Sequence, residues 1–367
     1  MAERVLNLRQ LNRATLARQM LLKRETMSVS AAIERLVGMQ AQLPIAPYIG
    51  LWTRLSNFTR EDLAQAINSR RVVKATFLRA TLHLCTEDDY VRFRTALQPM
   101  LSGAGKEIAK RRGENFDSKK LLREARRYIG EKPRTFAEIS DWVAKLMPGK
   151  DVGALRYTVR TNIPLVQTPI ETSWSYSTKP EFTLAESWIG RPVAPEDNLP
   201  ELVCRYLSVF GPASVTDAQT WLGMKLKDTF EKLRPKLQTY RDEGRRELFD
   251  LPDLSLPDAD HSAPVRFLPE FDNLLLSHSN RTRVVADEHR SKVYLPALRV
   301  AATVLLDGFV RGTWKVGKSR DVVTLVIEPF AQLPKAELTA LKDEGERLIR
   351  FVEAKAKSYE VRVAKPV

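Results

Sequence analysis

The sequence predicts an α+β protein of three tandem winged-helix units, over residues 1–115, 116–196 and 197–256, followed by a small C-terminal β-barrel with a terminal helix over 257–367. Three observations predict it. Helices followed by strands recur three times before residue 252. A polar, Pro- and Asp-rich stretch, Pro252 to Pro264, then marks a boundary. Beyond it short apolar runs dominate, and Asp307-Gly308 is a two-residue hairpin signal.

The first unit opens with a helix-rich segment whose exposed side is expected to carry Arg9, Arg13, Arg18, Lys23 and Arg24. Ser28 or Ser30 can cap the next helix. Along it Ile33, Leu36 and Val37 recur at helical spacing, and Gln40 continues that stripe. Pro44 and Pro47 oppose continuation, so Gln40-Ala41-Gln42 is expected at the ragged end of a helix. A third helix runs from Thr59 to about Ser69. Val72 to Cys85 reads as extended, with Leu82 and Leu84 alternating against Arg79, Thr81 and His83, which puts the polar residues on one face.

The second unit repeats this order. Lys119 to Ile129 forms one helix, the capping box Thr135-Phe-Ala-Glu138 opens a second, and Asp151 to Thr161 forms a third. Strands follow at Leu165 to Ile170 and Glu181 to Glu186. On the third helix Arg156 and Arg160 make a basic stripe beside Leu155 and Val159, as a recognition helix would, or as a solvated face would. In the third unit an amphipathic helix from Leu199 ends at Gly211-Pro212. Thr216 caps a short helix ending near Gly223, and a hairpin over Leu237 to Leu251 turns at Asp242 to Arg245. The tail is read as strands at Val265–Leu268, Leu274–Leu276, Arg281–Val285, Thr303–Leu306, Phe309–Val316 and Val322–Ile327, then a helix through Leu341 and Leu348, then an edge strand from Tyr359 to Val363.

Composition narrows the function. Fifty-nine Lys and Arg against 45 Asp and Glu leave a net charge of +14, which points to a polyanionic partner, nucleic acid first. Two cysteines far apart, Cys85 and Cys204, suit a reducing cytoplasm. No signal-peptide pattern and no long apolar run occur, so a cytoplasmic, nucleoid-associated protein without membrane contact is expected. Gly103-Ala-Gly-Lys106 lacks phosphate-loop spacing, no GxGxxG or HExxH is present, and His83, His261, His278 and His289 are scattered. Neither a metal nor a cofactor is expected.

Five stretches carry a family resemblance: Leu11 to Gln19, Gly38-Met-Gln-Ala-Gln42, Arg79-Ala-Thr-Leu-His-Leu84, Leu268-Pro-Glu-Phe-Asp-Asn to His278, and Leu306-Asp-Gly-Phe-Val-Arg-Gly-Thr-Trp314. In their order along nearly the whole chain the sequence resembles the AlkZ/YcaQ-type winged-helix DNA glycosylases. That family's catalytic motif is a glutamine, a usually apolar residue, and then Gln or Asp. Gln40 and Gln42 match the double-glutamine branch, with a small Ala41 between them. The resemblance implies hydrolysis of the N-glycosidic bond of alkylated purines in double-stranded DNA, including bulky adducts and, in some members, interstrand crosslinks.

The residues agree with that chemistry. Two amides that never ionise can place a water but are poor acids and bases. N7- or N3-alkylation already makes the base a cationic leaving group, so positioning and charge stabilisation suffice. Around the glutamines, Arg79, Thr81 and His83 are candidates for DNA contact, with His83 also readable as a structural histidine. Arg156, Arg160, Lys225, Lys227 and Lys232 are candidates for phosphate neutralisation. Ser277 to Arg283 reads as a hairpin tip, and the resemblance implies that His278, Asn280, Arg281 and Arg283 there probe the minor groove; an ordinary solvated turn is the alternative. A monomer is expected, since no heptad seam offers a dimer interface. The rival is a non-catalytic winged-helix regulator or damage sensor.

Overall fold

A computed structural model describes residues 4–319 and 322–366. The first long helix, Leu8–Arg18, begins at a capping box in which Asn7 and Gln10 satisfy each other's backbone N–H groups. Its arginines are not a solvated face, contrary to the expectation from charge alone. Arg18 is buried in a bidentate pair with Asp250, both contacts 2.8 Å, which ties this helix to the third unit. Arg13 is fully buried, donating to Asp307 Oδ1 at 2.5 Å and to the His261 carbonyl at 2.6 Å. Gly308 sits at φ +82° against the same helix, and a Cβ there would lie 2.5 Å from Asn12 Oδ1. Here glycine serves both the hairpin turn and the close approach. The first helix is thereby clamped to the turn at Asp307-Gly308.

Strands from residues 39–86 and from 134–184 join in one six-stranded sheet, in the order Met39–Gln40, Leu82–Thr86, Val72–Thr76, Leu165–Gln167, Glu181–Leu184, Arg134–Thr135. The seam is the antiparallel pairing of Val72–Thr76 with Leu165–Gln167, where Ala75 faces Val166. Fusion gives each unit's open edge a partner. The expected caps at Thr59 and Thr135 are present, each with its reciprocal acid three residues on. In the third unit the helix Val215–Leu222 is capped by Ser214 with Asp217 rather than by Thr216. The hairpin Gln238–Asp242 and Glu247–Asp250 forms as expected, and Val5–Leu6 adds to it in parallel.

The C-terminal region is not a closed barrel. Its larger sheet has five strands, Arg266–Leu268, Thr303–Leu306, Phe309–Ser319, Val322–Pro329 and Ser358–Val363, and the two outer strands do not pair with each other. The helix Lys335–Val352 lies on one face and buries Leu341, Leu348, Ile349 and Val352 against Phe267, Leu325 and Ile327. With that apolar face covered by a helix, closure is unnecessary. The same helix is the crossover that lets the last strand run parallel to Val322–Pro329. Two expected strands are absent: Asn273–Leu276 is a helical turn capped by Asp272, and residues 281–285 form turns. Among the described residues no helix is long and apolar enough to cross a membrane, and no group of three or more His, Cys, Asp or Glu could hold a metal.

Candidate active site

Gln40 is not on a helix. The helix Val29–Arg35 ends at Leu36, and Val37 (φ 55°) and Gly38 (φ 93°) then reverse the chain into the two-residue strand Met39–Gln40. Gly38 is required twice over: its φ is left-handed, and a Cβ would approach the Leu84 carbonyl to 3.0 Å. The apolar spacing that continued to Gln40 therefore crosses a helix-to-strand switch that periodicity does not register. As a strand residue Gln40 stands opposite His83, and the Ala41 N–H extends the pairing with a 2.8 Å bond to the Leu82 carbonyl. Gln40 is buried and Ala41 is 1% exposed, whereas Gln42 is exposed. The small central residue fits because no space is left around it.

Arg79 sets the orientation of the buried amide. It lies in the tight turn Leu78–Ala80 between the two strands, with φ at 53°. Its Nη2 donates to Gln40 Oε1 at 2.9 Å and its Nη1 to the Trp221 carbonyl at 2.6 Å. A guanidinium has only donors, so the Gln40 carbonyl must face Arg79 and its NH2 faces away. The Gln40 NH2 is thus the end of the amide turned away from Arg79, while Gln42 is exposed. Burial, and to a lesser degree Arg281, lowers the Arg79 pKa to about 10, so it remains a cation at neutral pH. His83 is fully buried, its pKa lowered to about 3 by burial and then by Arg79, and it is neutral. Its Nδ1 lies 3.1 Å from the Thr81 carbonyl, and its Nε2 has no partner among the described residues.

The structure gathers some of the expected site residues and removes others. Arg79, Thr81 and His83 surround Gln40, but a buried His83 cannot touch a duplex, and Thr81 Oγ1 is spent on the Leu78 carbonyl. Arg160 also reaches this turn, donating to the Ala80 carbonyl at 3.0 Å, and Arg156 donates to Ser140 Oγ at 3.1 Å while stacking over Phe136. Both are half-buried protein contacts, not a free recognition stripe. Lys225, Lys227 and Lys232 are exposed, and Gly223, at the end of the helix preceding Lys225, packs against Arg79. The segment 277–283 is not a hairpin tip. His278 is buried between Ser277 Oγ and the Phe210 carbonyl. Arg283, also buried, donates to Thr15 Oγ1 and the Pro212 carbonyl. Asn280 and Arg281 are half-buried, Asn280 accepting from Thr282 and Arg281 stacking 3.8 Å from the Tyr294 ring centroid.

The profile of a known family, described as "DNA glycosylase AlkZ-like", matches residues 33–351. The chain belongs to the AlkZ-like DNA glycosylases. A curated relative, "Interstrand DNA cross-link repair glycosylase" from Streptomyces sahachiroi, is 25% identical over 368 aligned residues, covering 91% of this chain and 93% of that protein. The solved structure of the Streptomyces sahachiroi DNA glycosylase AlkZ superposes with a TM-score of 0.81 at 22% identity, covering 98% of this chain and all of that one. At that identity the structural likeness shows the shared fold.

Within this AlkZ-like frame, several residues near the glutamines escaped the sequence reading. Asn273 Nδ2 donates to the Gly38 carbonyl at 2.6 Å, and its Oδ1 accepts from the Gln40 N–H at 3.4 Å, so one amide spans the reversal that carries the motif. Beside it Arg54 and Asp272 form a buried bidentate pair at 2.8 and 2.7 Å, and Arg54 also holds the Gly50 carbonyl. A hairpin pairing Tyr294–Leu295 with Arg299–Val300 carries Leu298 at its tip, 92% exposed, with Ala297 and Leu298 both left-handed. Tyr294 Oη anchors that hairpin to the Leu275 carbonyl at 2.9 Å, next to Asn273. Asn273 and Asp272 lay inside a stretch that matched the family, which was the available signal. The hairpin has no Asn-Gly or Asp-Gly turn to announce it.

Proposed function

We propose that this protein is a monofunctional DNA glycosylase that hydrolyses the N-glycosidic bond of cationic N7- or N3-alkylated purines, with bulky adducts and interstrand crosslinks among its substrates. The observation that carries the reading is the fixed Gln40 amide, held donor-outward by Arg79 beside an exposed Gln42. In the reaction, water adds to C1′ and the C1′–N bond breaks. Its electron pair goes to the base, which leaves neutral because it began as a cation. The proton lost by the water goes to solvent. Gln42 accepts a hydrogen bond from the attacking water, and Gln40 donates to its oxygen or to the sugar. That division fits the motif's tolerance of Asp at the second position, since a carboxylate is an acceptor only. Neither amide can protonate a normal purine, so undamaged DNA is spared by chemistry as well as by fit.

DNA is held by the exposed lysines Lys225, Lys227 and Lys232 on the third unit and by Arg281 and Asn280 near the site, the lysines acting on phosphates without base preference. The exposed Leu298 at a hairpin tip has the character of an apolar wedge between base steps. The protein acts as a monomer on the nucleoid, needing neither metal nor cofactor. The test is a duplex with one 7-methylguanine: incubation followed by alkali reveals base release as strand cleavage. Release by the native chain, lost in Gln40→Ala and Gln42→Ala, is expected. Equal rates on uracil or 8-oxoguanine duplexes would overturn the requirement for a cationic base.

A further inference from the structure

Two neutral glutamines beside a fixed Arg79 cation make an awkward receptor for a sugar that becomes an oxocarbenium ion. A site of this kind lacks a negative charge, and the fold places one beside the motif. Glu270 lines a small cleft together with Gln40, Arg54, Asp272 and Asn273. It also lines the adjoining groove that begins at Leu43 and Ile45, immediately after Gln42, and runs under Trp314 and Val352. The cleft and the groove share Ala46, Pro269 and Glu270, and of these Glu270 alone carries a charge.

Glu270 is half-buried, and its carboxylate has no hydrogen bond or ion pair with any described residue. The other charges in these two cavities are neutralised. Arg54 is paired with Asp272, Lys315 with Glu328 and Lys318 with Glu353. Arg299, on the hairpin that carries Leu298, is the cation that acts on Glu270, and it does not offset the burial that raises the carboxyl's pKa above the ordinary glutamate value. A desolvated carboxylate without a partner costs stability in the free protein. Such a cost is repaid when a cation is delivered to it, and the substrate delivers two in succession: the alkylated base and then the sugar.

We propose that Glu270 is a further catalytic residue of this site, the counter-charge that faces the sugar as its positive charge develops, with Gln40 and Gln42 left to handle the water. This rests on the glycosylase reading above. A carboxylate in this role acts through space and forms no bond, so its effect should follow charge and not shape.

The test uses the full chain and two abasic-site analogues in the same duplex, a protonated pyrrolidine in place of the sugar and the neutral tetrahydrofuran. The native chain should bind the cationic analogue on the order of 10- to 100-fold more tightly than the neutral one. In Glu270→Gln that ratio should fall to about 1, with the affinity for the neutral analogue changed by less than roughly 3-fold; Glu270→Ala should behave alike, and Glu270→Asp should keep part of the preference. A ratio that is the same in the native chain and in both neutral variants overturns the proposal, as does a native chain with no preference. Single-turnover release of 7-methylguanine should slow by about the same factor as the ratio falls. If the native chain releases no base, the glycosylase reading fails, while the binding ratio still decides the role of Glu270.

Discussion

Arg79→Met tests whether the geometry around Gln40 matters to the reaction. Methionine fills most of the same space but donates nothing, so two acceptors lose their partner: Gln40 Oε1 at 2.9 Å and the Trp221 carbonyl at 2.6 Å. A hydrogen bond from a charged donor contributes about 1.5–3 kcal/mol. If that energy holds the amide donor-outward, its loss lowers the rate of the chemical step by roughly 10- to 100-fold, at about 1.4 kcal/mol per factor of ten. Each orphaned acceptor costs about 1–3 kcal/mol of stability. Part of this is returned because a desolvated cation, whose pKa is already lowered to about 10, is removed from the interior. The assay is single-turnover base release at saturating enzyme, with DNA affinity and urea unfolding measured separately. Both terminal guanidinium nitrogens are engaged within the protein, so affinity should change little while the rate falls. A rate within about 3-fold of the native chain would refute the positioning argument, and a loss confined to affinity would make Arg79 a DNA contact.

Gln42→Asp should retain base release within roughly 10-fold, because it keeps an acceptor at the exposed position, whereas Gln42→Lys should abolish it; equal loss in both would end the acceptor assignment. Leu298→Ala should weaken binding to lesion-bearing duplex by about 1–2 kcal/mol without moving the melting temperature, since a 92% exposed side chain supports nothing in the fold. Arg54→Met leaves the buried Asp272 carboxylate without its cation and should cost about 3–5 kcal/mol in urea unfolding, loosening Asn273 and with it the glutamine turn. Acid should destabilise the protein before most carboxylates titrate. His83 and His278 are held neutral, each with its pKa lowered to about 3, whereas in the unfolded chain they take up protons near pH 6.5. Between those values the unfolded state binds more protons, so the unfolding free energy falls as pH drops from 6.5 towards 3. His278→Gln should flatten that slope in unfolding curves taken at pH 7.5 and 5.

How much of this was legible in the sequence depends on the range of the signal. Helix starts at Thr59 and Thr135, the Asp307-Gly308 turn and the strands flanking it are set by residues a few positions apart, and they formed where expected, whereas the strands expected at 274–276 and 281–285 did not. Burial of charge was not legible. Arg13 and Arg18 read as an exposed basic face and Arg283 as a groove probe, yet their acceptors, Asp307, Asp250 and the Pro212 carbonyl, come from more than 70 residues away in the chain. The joining of strands 72–76 and 165–167 into one sheet, and the covering of the last sheet by a helix instead of closure into a barrel, are likewise products of long-range pairing.

The same contrast explains the site. Nothing local marks Gln40 as special, and the helical stripe that first singled it out is an accident of spacing across the Val37-Gly38 reversal. What fixes its amide comes from the motif itself and two distant segments: Gly38 turns the chain, Arg79 and His83 hold the carbonyl and provide the facing strand, and Asn273 clamps the backbone from the far side. The family-matching stretches are these places. Leu11 to Gln19 and Leu306 to Trp314 supply Asn12, Arg13 and Asp307, which tie the first helix to the C-terminal region. A scaffold this heavily braced is what a site of neutral amides needs, because groups that cannot exchange protons contribute to a reaction only through where they are held.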